Sequence, residues 1–426
     1  MKPELRVLAA SGQLGYGIPG AAFAAGIARA PHVIGADMGS IDPGPAYLGS
    51  GRMATSPEMT RRDLGLVLSA ARGLGVPLLI GSAGTAGARP HLDATLEIVR
   101  EIAREKGLRF RLASIAADIP KALARDARPL GAMRSMDLER TTHLVGQMGT
   151  EAFIRALDAG ADVVIAGRAC DTAIFAAIPL MRGYAPGLAM HMAKIIECTS
   201  LCCEPGGRDA ILATLSEDSF ELESMNPARA ATPLSVAAHA LYEQEDPYTV
   251  QEPEGTLDLR GAQYKAIDAR RTRVRGALWQ PRARPTVKIE GAGPFGERSV
   301  LFCSSADPRV IANLSSILLD VEATTRQLVP GSDFSLYPRV YGEGEAFLLV
   351  ECIAPTAARG LAVLGVFRQY LLHHGFPGRL STGGNLAFPF TPPELPAGTA
   401  YRFTVYHVMD VEALAPLFPV SIEDIA

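Results

Sequence analysis

The N-terminal half of the chain repeats one pattern: a short apolar segment, a loop of small and charged residues, and a helix. Apolar strands are predicted at residues 6–10, 32–36, 76–80, 110–115 and 161–166. Apolar residues at helical spacing follow most of the loops. Short apolar strands that alternate with helices are typical of a parallel sheet covered on both faces. We therefore predict an α/β fold with a Rossmann- or flavodoxin-like parallel sheet in this half.

The pattern changes in the second half of the chain. Segments that alternate apolar and polar residues, such as 220–223 and 400–409, occur among long helices such as 356–374. Alternation of this kind is typical of a sheet with one packed and one solvated face. We expect residues 206–426 to form an α+β domain with a mixed or antiparallel sheet. It would follow an α/β domain at residues 1–205 that carries the ligand-site loops.

Composition argues against several classes of protein. The chain of 426 residues has a formal net charge of −4, which gives no electrostatic reason to bind nucleic acid or an anionic membrane. No apolar run approaches the ~20 residues of a membrane span. The N-terminus lacks the apolar core of a signal peptide, and six cysteines do not form a disulfide framework. We expect a cytoplasmic enzyme or binding protein with reduced cysteines.

The loop after the second strand carries several functional groups close together. Asp37, Ser40 and Asp42 occur within GADMGSIDPGP at residues 35–45. Ligands of open α/β sheets bind outside the carboxyl ends of the strands, where this loop is predicted to lie. The alternative is a structural turn in which the Asp side chains bind nearby backbone groups. We predict a ligand site that includes all three residues.

The loops after the first and third strands are rich in glycine. Gly12 belongs to the first loop, whose G-x-x-G-x-G spacing matches neither the dinucleotide fingerprint nor the P-loop. Ser82 and Thr85 follow the third strand and offer hydroxyl groups. Tight strand-to-helix turns explain the glycines equally well. In a parallel sheet both loops share an edge with the Asp37 loop, and we predict that Gly12, Ser82 and Thr85 bind substrate.

The loop after the fifth strand contains an arginine among small residues. Arg168 is followed by Asp171 and Thr172. A planar guanidinium is suited to bind a carboxylate or phosphate through two hydrogen bonds. The alternative is an internal ion pair between Arg168 and Asp171, because buried charges are usually paired. We predict that Arg168 and Asp171 are catalytic and that Thr172 binds substrate.

Four motifs taken together resemble the acyclic terpene utilisation A (AtuA) family. They are DMGSIDPGP at residues 37–45, GSAG at 81–84, AGR at 166–168 with Asp171 and Thr172, and GNLAFPF at 384–390. The resemblance covers nearly the whole chain. It implies a cytosolic, bacterial-type protein from a catabolic gene setting, in a family named after the degradation of citronellol-like terpenes. It supplies no catalytic residues to transfer, so the site prediction depends on the chemistry of the loops.

The C-terminal half adds one more candidate. Asn385 lies in a stretch, residues 373–390, that combines two histidines, an arginine, hydroxyl groups and glycines with apolar aromatic residues. This composition suits a loop beside a ligand, and we predict that Asn385 binds substrate. The alternative is a Gly/Pro-rich connection between domains, held in place by phenylalanine packing.

The groups at the predicted sheet edge favour an enzyme that acts on a small carboxylate or hydroxy-acid, by a hydro-lyase or isomerase step in terpene or branched-acid degradation. Elimination requires a base near the substrate carbon and stabilisation of the developing enolate. The predicted catalytic residues are Asp37, Asp42, Arg168 and Asp171, and the predicted substrate-binding residues are Gly12, Ser40, Ser82, Thr85, Thr172 and Asn385.

A divalent metal is another means of stabilising an enolate. Asp37 and His91 are the predicted ligands, and oxygen-rich ligands would favour magnesium or manganese. His91 follows Pro90, so a surface or capping role for this histidine is the alternative.

Two other functions stay open at this point. Cys170 or Ser82 is a candidate nucleophile for acyl-coenzyme A chemistry, although the chain lacks the G-x-S-x-G elbow. A non-catalytic subunit that requires a partner chain is also compatible with the large second domain. We expect a small carboxylate as the ligand, and either a homo-oligomer or a hetero-complex with a small partner protein.

Overall fold

The computed structural model describes residues 2–242, 246–379 and 384–426. By its internal contacts the chain divides into two units. The larger unit comprises the residues up to Gly293 together with Phe403–Ala426, and the smaller unit comprises Pro294–Arg402. Of the helices in the described ranges, none combines the length and the apolar composition needed to cross a bilayer.

The secondary structure is given in chain order. The strands are β1 (Leu5–Ser11), β2 (Val33–Asp37), β3 (Leu78–Gly81), β4 (Phe110–Ile115), β5 (Arg128–Pro129), β6 (His143–Gly146), β7 (Val163–Ala166), β8 (Ile211–Leu215), β9 (Phe220–Ser224), β10 (Thr249–Glu252), β11 (Gly255–Asp258), β12 (Gln263–Ala266), β13 (Arg271–Arg275), β14 (Leu278–Pro281), β15 (Thr286–Ser305), β16 (Ser335–Tyr341), β17 (Ala346–Ala354), β18 (Glu394–Asp410) and β19 (Val420–Ile425). The helices are α1 (Gly20–Ala28), α2 (Pro45–Ser50), α3 (Pro57–Leu74), α4 (Arg89–Lys106), α5 (Thr150–Asp158), α6 (Asp171–Met181), α7 (Pro186–Ile196), α8 (Pro233–Ala240), α9 (Pro308–Leu328) and α10 (Ala357–His373).

The main sheet of the larger unit contains the predicted parallel strands. Its order is β12-β13-β9-β8-β1-β2-β3-β7-β4-β19. The five central strands, from β1 to β4 in this order, are parallel, and the outer strands are antiparallel. The mixed α/β class is confirmed. The parallel strands have the order β1-β2-β3-β7-β4, which is neither the Rossmann order nor the flavodoxin order. In both of those orders β1 lies between two parallel strands, whereas here one neighbour of β1 is the antiparallel strand β8.

Helices cover both faces of this sheet, as short apolar parallel strands require. One face packs α1, α3 and α4 against side chains such as Ile34 and Ile80. The opposite face packs α5, α6 and α7 against side chains such as Leu79 and Val164. The chain therefore leaves β3 and its neighbour β7 towards opposite faces. This reversal opens a crevice at the carboxyl ends of the two strands, which is the usual ligand position in such sheets.

Strands that follow residue 206 belong to the same sheet as the N-terminal strands. Val7 of β1 lies opposite Ala213 of β8 in an antiparallel pair, and β9 continues the sheet. The larger unit therefore extends to Gly293, and its end does not coincide with the domain boundary expected at residue 205. The expected and observed boundaries differ because β8 pairs with β1, which is about 200 residues earlier in the sequence.

Two further elements, the β10-β11-β14 sheet and the first part of β15, bring more side chains towards the carboxyl edge. β10, β11 and β14 form an antiparallel sheet in which Glu252 is the last residue of β10. Residues 289–292 of β15 pair with β6. These two elements carry Glu252, Lys288 and Glu290.

The smaller unit is an antiparallel sheet packed by two long helices. Residues 297–305 of β15 pair with β17, and β17 pairs with β16. Apolar side chains of α9 and α10, such as Ile317 and Phe367, share a core with Leu348 of β17. The antiparallel arrangement expected for the second half of the chain is confirmed here.

Candidate functional site

The loops after β2, β3 and β7 are joined by backbone hydrogen bonds at the carboxyl edge of the main sheet. Met38 N–H donates to the carbonyl of Gly81 at 3.1 Å, and Ser82 N–H donates to the carbonyl of Gly167 at 2.9 Å. Parallel pairing of these strands places their ends side by side. Asp37, Ser82 and Arg168 are therefore brought together, as their positions after successive strands predict.

Arg168 is the centre of this edge, and its guanidinium is buried. Nε donates to Oε2 of Glu290 at 2.8 Å, and Nη2 lies 3.5 Å from Oε1 of the same carboxylate. Nη1 donates to the Ser82 hydroxyl at 3.2 Å and to the Ala169 carbonyl at 3.1 Å. The pair with Asp171 that the sequence offers as an alternative is long, at 3.9 Å. The main partner of Arg168 is therefore Glu290.

Glu290 is fully buried and accepts from several donors. Lys288 Nζ lies 3.2 Å from Oε1, and the Gln147 amide donates to the same atom at 3.2 Å. Burial by itself would raise the pKa of Glu290, but Arg168 and Lys288 lower the pKa below its usual value. The Lys288 ammonium also lies 4.5 Å from the centre of the Tyr406 ring. This network keeps Glu290 charged and fixes Arg168 in one orientation.

Asp37 lies beneath the loops rather than on an open surface. Its Oδ2 accepts from the Gly39 N–H at 2.7 Å. Burial and the nearby Asp171 raise the pKa of Asp37 well above its usual value, and the positive charge of Arg168 opposes them only in part. The pKa shift favours a protonated Asp37 that supports the loop from below.

A polar cleft of about 380 Å³, which we call the inner cleft, opens above these residues. Its cationic side chains are Arg168, Lys194 and Lys288, and its acidic side chains are Asp42, Asp171, Glu197 and Glu252. Ser40, Thr172, Gln147, Gln251 and Tyr406 add hydroxyl and amide groups. The density of hydrogen-bonding and titratable groups suits a small polar ligand rather than an apolar one.

Lys194 and Glu197 form a buried ion pair at the end of α7. Lys194 Nζ lies 2.7 Å from Oε1 of Glu197, and each residue is 5% exposed. Burial raises the pKa of Glu197 to about 8, although the Lys194 ammonium opposes the shift. Burial would lower the pKa of Lys194, but Glu197 raises it above the usual value. The lysine is therefore charged near pH 7, while burial favours the protonated form of Glu197.

Glu252 is the second buried carboxyl group of the inner cleft. The Thr172 hydroxyl, in the first turn of α6, donates to its Oε1 at 2.7 Å. Burial raises the pKa of Glu252 to about 7, while the bond from Thr172 lowers it. A carboxyl group with this pKa is suited to act as a general base and then as a general acid near neutral pH.

The structure separates the predicted site residues into two sets. The residues that line the inner cleft are Ser40, Asp42, Arg168, Asp171 and Thr172. The others do not line it: Asp37, Ser82 and Thr85 are buried, and Gly12 lines a different cavity. Asn385 lies in the smaller unit. The Asn385 amide donates to the carbonyls of Leu371 and His374 at 3.2 and 2.9 Å. It closes the end of α10, which is a structural role. Residues 380–383 of the same predicted loop lie outside the described residues.

His91, which the sequence analysis predicts as a metal ligand, forms hydrogen bonds with backbone carbonyl groups instead. His91 is buried in the first turn of α4, and its Nε2 lies 3.1 Å from the Tyr47 carbonyl and 3.2 Å from the Arg52 carbonyl. Burial lowers the pKa of His91 to about 4. Within residues 2–242, 246–379 and 384–426, no three His, Cys, Asp or Glu side chains are grouped as a metal site. The Asp37 and His91 pair therefore does not form part of a recognisable ligand set.

The two proposed nucleophiles also occupy unsuitable surroundings. Ser82 is completely buried and its hydroxyl accepts from Arg168. Burial, together with the charges of Glu252 and Glu254, raises the pKa of the Cys170 thiol well above its usual value. A thiol must ionise to be an effective nucleophile. The geometry therefore gives no support to acyl transfer through either residue.

Five charged residues of the site were missed by the sequence prediction, and Glu252 at the end of β10 is one of them. Lys194 and Glu197 interrupt an otherwise apolar helix, and Lys288 and Glu290 alternate with apolar residues on β15. Charges at i and i+2 of a strand share one face. The sequence could have indicated these residues, because a charged residue within an apolar helix or strand is unusual. The sequence does not show which edge of the sheet such a residue reaches.

Comparison with known families supports the resemblance seen in the motifs. The family model described as acyclic terpene utilisation family protein AtuA matches residues 77–209. This segment includes Arg168, Asp171, Lys194 and Glu197. The family description suggests involvement in acyclic terpene utilisation but names no catalytic step. No curated protein and no solved structure matched the chain. Residues 77–209 are therefore similar to the AtuA family model.

Proposed function

We propose that the inner cleft binds a small carboxylate or hydroxy-acid and transfers a proton next to its carboxyl group, in a hydro-lyase or isomerase step of terpene or branched-acid degradation. The observation that carries the proposal is the placement of Glu252, a buried carboxyl group with a pKa of about 7, in the same cleft as the Lys194 ammonium. A base is most effective when its pKa lies near the working pH. The match of residues 77–209 to the AtuA family model supports the catabolic context.

The residues have distinct roles in this proposal. Glu252 removes a proton from the carbon beside the substrate carboxyl group, and Lys194 stabilises the negative charge that develops on the enolate. Glu197 then gives its proton either to a leaving hydroxyl group, which departs as water, or to another carbon of the substrate. The first outcome is a hydro-lyase reaction and the second is an isomerisation.

The residues predicted as catalytic take supporting roles. Because Glu290 neutralises the Arg168 guanidinium, we assign Arg168 a positioning role in the wall of the cleft. Ser40 and Asp42 contact the substrate from the loop after β2, and Asp171 does so from the start of α6. Asp37 holds the loop after β2 through its bond with Gly39.

A thermal-shift scan of small carboxylic and hydroxy-acids, with and without Mg²⁺, tests the binding part of the proposal. Wild-type protein is compared with Lys194→Met and with Lys265→Met, a control at an exposed position outside the cleft. We expect an acid to stabilise wild-type protein and the Lys265 variant but not the Lys194 variant. Equal stabilisation of all three would place binding elsewhere. Failure of every acid, with co-purification of a second chain, would favour a non-catalytic subunit.

A further inference from the structure

The inner cleft continues into a second cavity of about 310 Å³, which we call the outer cleft. Both cavities are lined by Gln147, Cys170, Gln251, Glu252 and Lys288. A ligand that reaches Glu252 from the inner cleft can therefore extend into the outer cleft. None of the residues that the proposed reaction assigns to proton transfer lies in the outer cleft alone, so the reaction does not explain this second cavity.

The two cavities differ in the balance of their charged groups. The outer cleft is lined by three cationic side chains, Arg128, Arg282 and Lys288, and by one carboxyl group, Glu252. The inner cleft has three cationic side chains and four carboxyl groups. An anionic group is therefore more favourably placed in the outer cleft.

Arg282 is the distinctive cation of the outer cleft. Its guanidinium donates to the Gln251 side-chain carbonyl, to the Glu252 backbone carbonyl at 3.4 Å and to the Thr256 hydroxyl at 3.5 Å. All three acceptors are neutral, and within the described ranges Arg282 has no carboxylate partner. By contrast, Arg128 pairs with Asp410 at 2.9 Å and Lys288 pairs with Glu290 at 3.2 Å. A half-buried arginine held only by neutral acceptors keeps its charge available for an anion.

The remaining wall of the outer cleft is partly apolar. Leu130, Pro253 and Val408 contribute to it. An apolar wall next to a guanidinium suits a hydrocarbon chain that ends in an anionic group. Arg282 offers a fork of donors that a carboxylate accepts through two oxygens.

We propose that the outer cleft is a subsite for the second carboxylate of a dicarboxylic substrate, with Arg282 as the residue that recognises it. The proposal rests on the proposed function, because the first carboxyl group and the reacting carbon occupy the inner cleft. The hydrocarbon between the two carboxyl groups lies along the apolar wall. A monocarboxylic acid of the same length fills the same space without engaging Arg282.

Titration calorimetry on the full chain with matched acids tests the subsite. The pairs are adipate with hexanoate, pimelate with heptanoate, and suberate with octanoate. For at least one pair we expect wild-type protein to bind the diacid at least tenfold more tightly than the monoacid. In Arg282→Gln this preference falls to within twofold while the Kd of the monoacid is unchanged. Arg275→Gln, at an exposed arginine that also bonds a neutral glutamine, retains the wild-type preference.

Further variants and ligands define what would overturn the proposal. Arg282→Lys keeps the charge and is expected to retain part of the preference, which separates recognition from loss of fold. An unchanged preference in Arg282→Gln, or no diacid preference in wild-type protein that binds monoacids, would overturn the subsite alone. Tighter binding of an ω-phosphorylated acid than of the diacid would overturn its assignment to a carboxylate. An Arg282-dependent diacid whose proton beside the carboxyl group never exchanges with D₂O would instead contradict the proposed reaction and leave the subsite intact.

Discussion

The Arg168 guanidinium and the Glu290 carboxylate form a buried ion pair between residues that are 122 positions apart, with Nε 2.8 Å from Oε2. Arg168 follows β7 of the main sheet, and Glu290 lies on β15. The pair joins two elements of the larger unit beneath the inner cleft. It also explains why the arginine that the sequence offers as a substrate clamp serves the protein's own structure.

Removal of one partner of this pair is expected to be strongly destabilising. Arg168→Met leaves the buried Glu290 without its main counter-ion, and the expected loss is about 3–5 kcal/mol in the free energy of unfolding, measured with urea. The Arg168→Met/Glu290→Gln double variant should lose less than the sum of the two single variants, because it removes both buried charges and leaves only the partly exposed Lys288 without its carboxylate partner. Additive losses would show that the two side chains do not depend on each other.

Glu252 is expected to make stability depend on pH. Its pKa is raised to about 7 in the folded protein, so the folded state holds a proton that the unfolded state releases at lower pH. Stability from this group is present below the unfolded pKa and is lost as pH rises towards 7, by about 1.4 kcal/mol per unit of pKa difference. Glu252→Gln should therefore gain stability relative to wild-type protein between pH 5 and pH 8, in urea titrations.

An exposed glutamate provides the control for that titration. Glu217→Gln lies in the turn between β8 and β9 and should follow the wild-type curve at every pH. If the Glu252 and Glu217 variants behave alike, Glu252 does not titrate near neutral pH and loses its assignment as the base.

Two thiols are expected to react slowly: Cys170 of the inner cleft and Cys198 of the separate cavity that Gly12 lines. Burial raises the pKa of Cys170 well above the usual value and that of Cys198 to about 12. Peptide mapping after iodoacetamide treatment at pH 7.5 should show modification of both residues at least about tenfold slower in native than in urea-unfolded protein. Rapid alkylation of Cys170 in the native protein, together with loss of acid binding, would contradict this expectation and favour Cys170 as a nucleophile.

Gly87 is expected to tolerate no side chain. It has a φ of +68°, and a Cβ atom there would lie 2.1 Å from the backbone nitrogen of Arg168. Gly87→Ala should lower the free energy of unfolding by about 3 kcal/mol or more and weaken acid binding, because the loop that carries Arg168 must move. Gly73→Ala, on an exposed turn of α3 with open space around it, should instead stabilise the protein by about 0.5–1 kcal/mol. Similar melting temperatures for the two variants would contradict this close approach.

The sequence was sufficient to predict the parallel strands and the clustering of Asp37, Ser82 and Arg168. Apolar strands and strand-end loops are local patterns, and parallel pairing places successive strand ends on one edge. Sequence did not predict the strand order, because antiparallel β8 and β9 join the sheet from beyond the expected boundary. That order is set by pairing between remote segments, which no local window contains.

The candidate site was predicted only in part for the same reason. Loops after β2 and β7 supplied Ser40, Asp42 and Asp171, whereas Glu252 and Lys288 lie on strands of two other sheets. The sequence shows that both residues are charged, but it does not show that they lie in the same cleft as Lys194 of α7, because that depends on tertiary packing. His91 and Asn385 were assigned to a ligand because of their chemistry, and backbone carbonyls prove to be their partners.

Proton exchange in D₂O tests the central claim most directly. The acid that most stabilises the protein is incubated with wild-type protein and with Glu252→Gln, and the signal of the proton beside its carboxyl group is followed by NMR. We predict that wild-type protein exchanges this proton for deuterium and that Glu252→Gln does so at least about 100-fold more slowly. Absence of exchange in wild-type protein saturated with that acid, or equal rates in the two proteins, would contradict a base at Glu252.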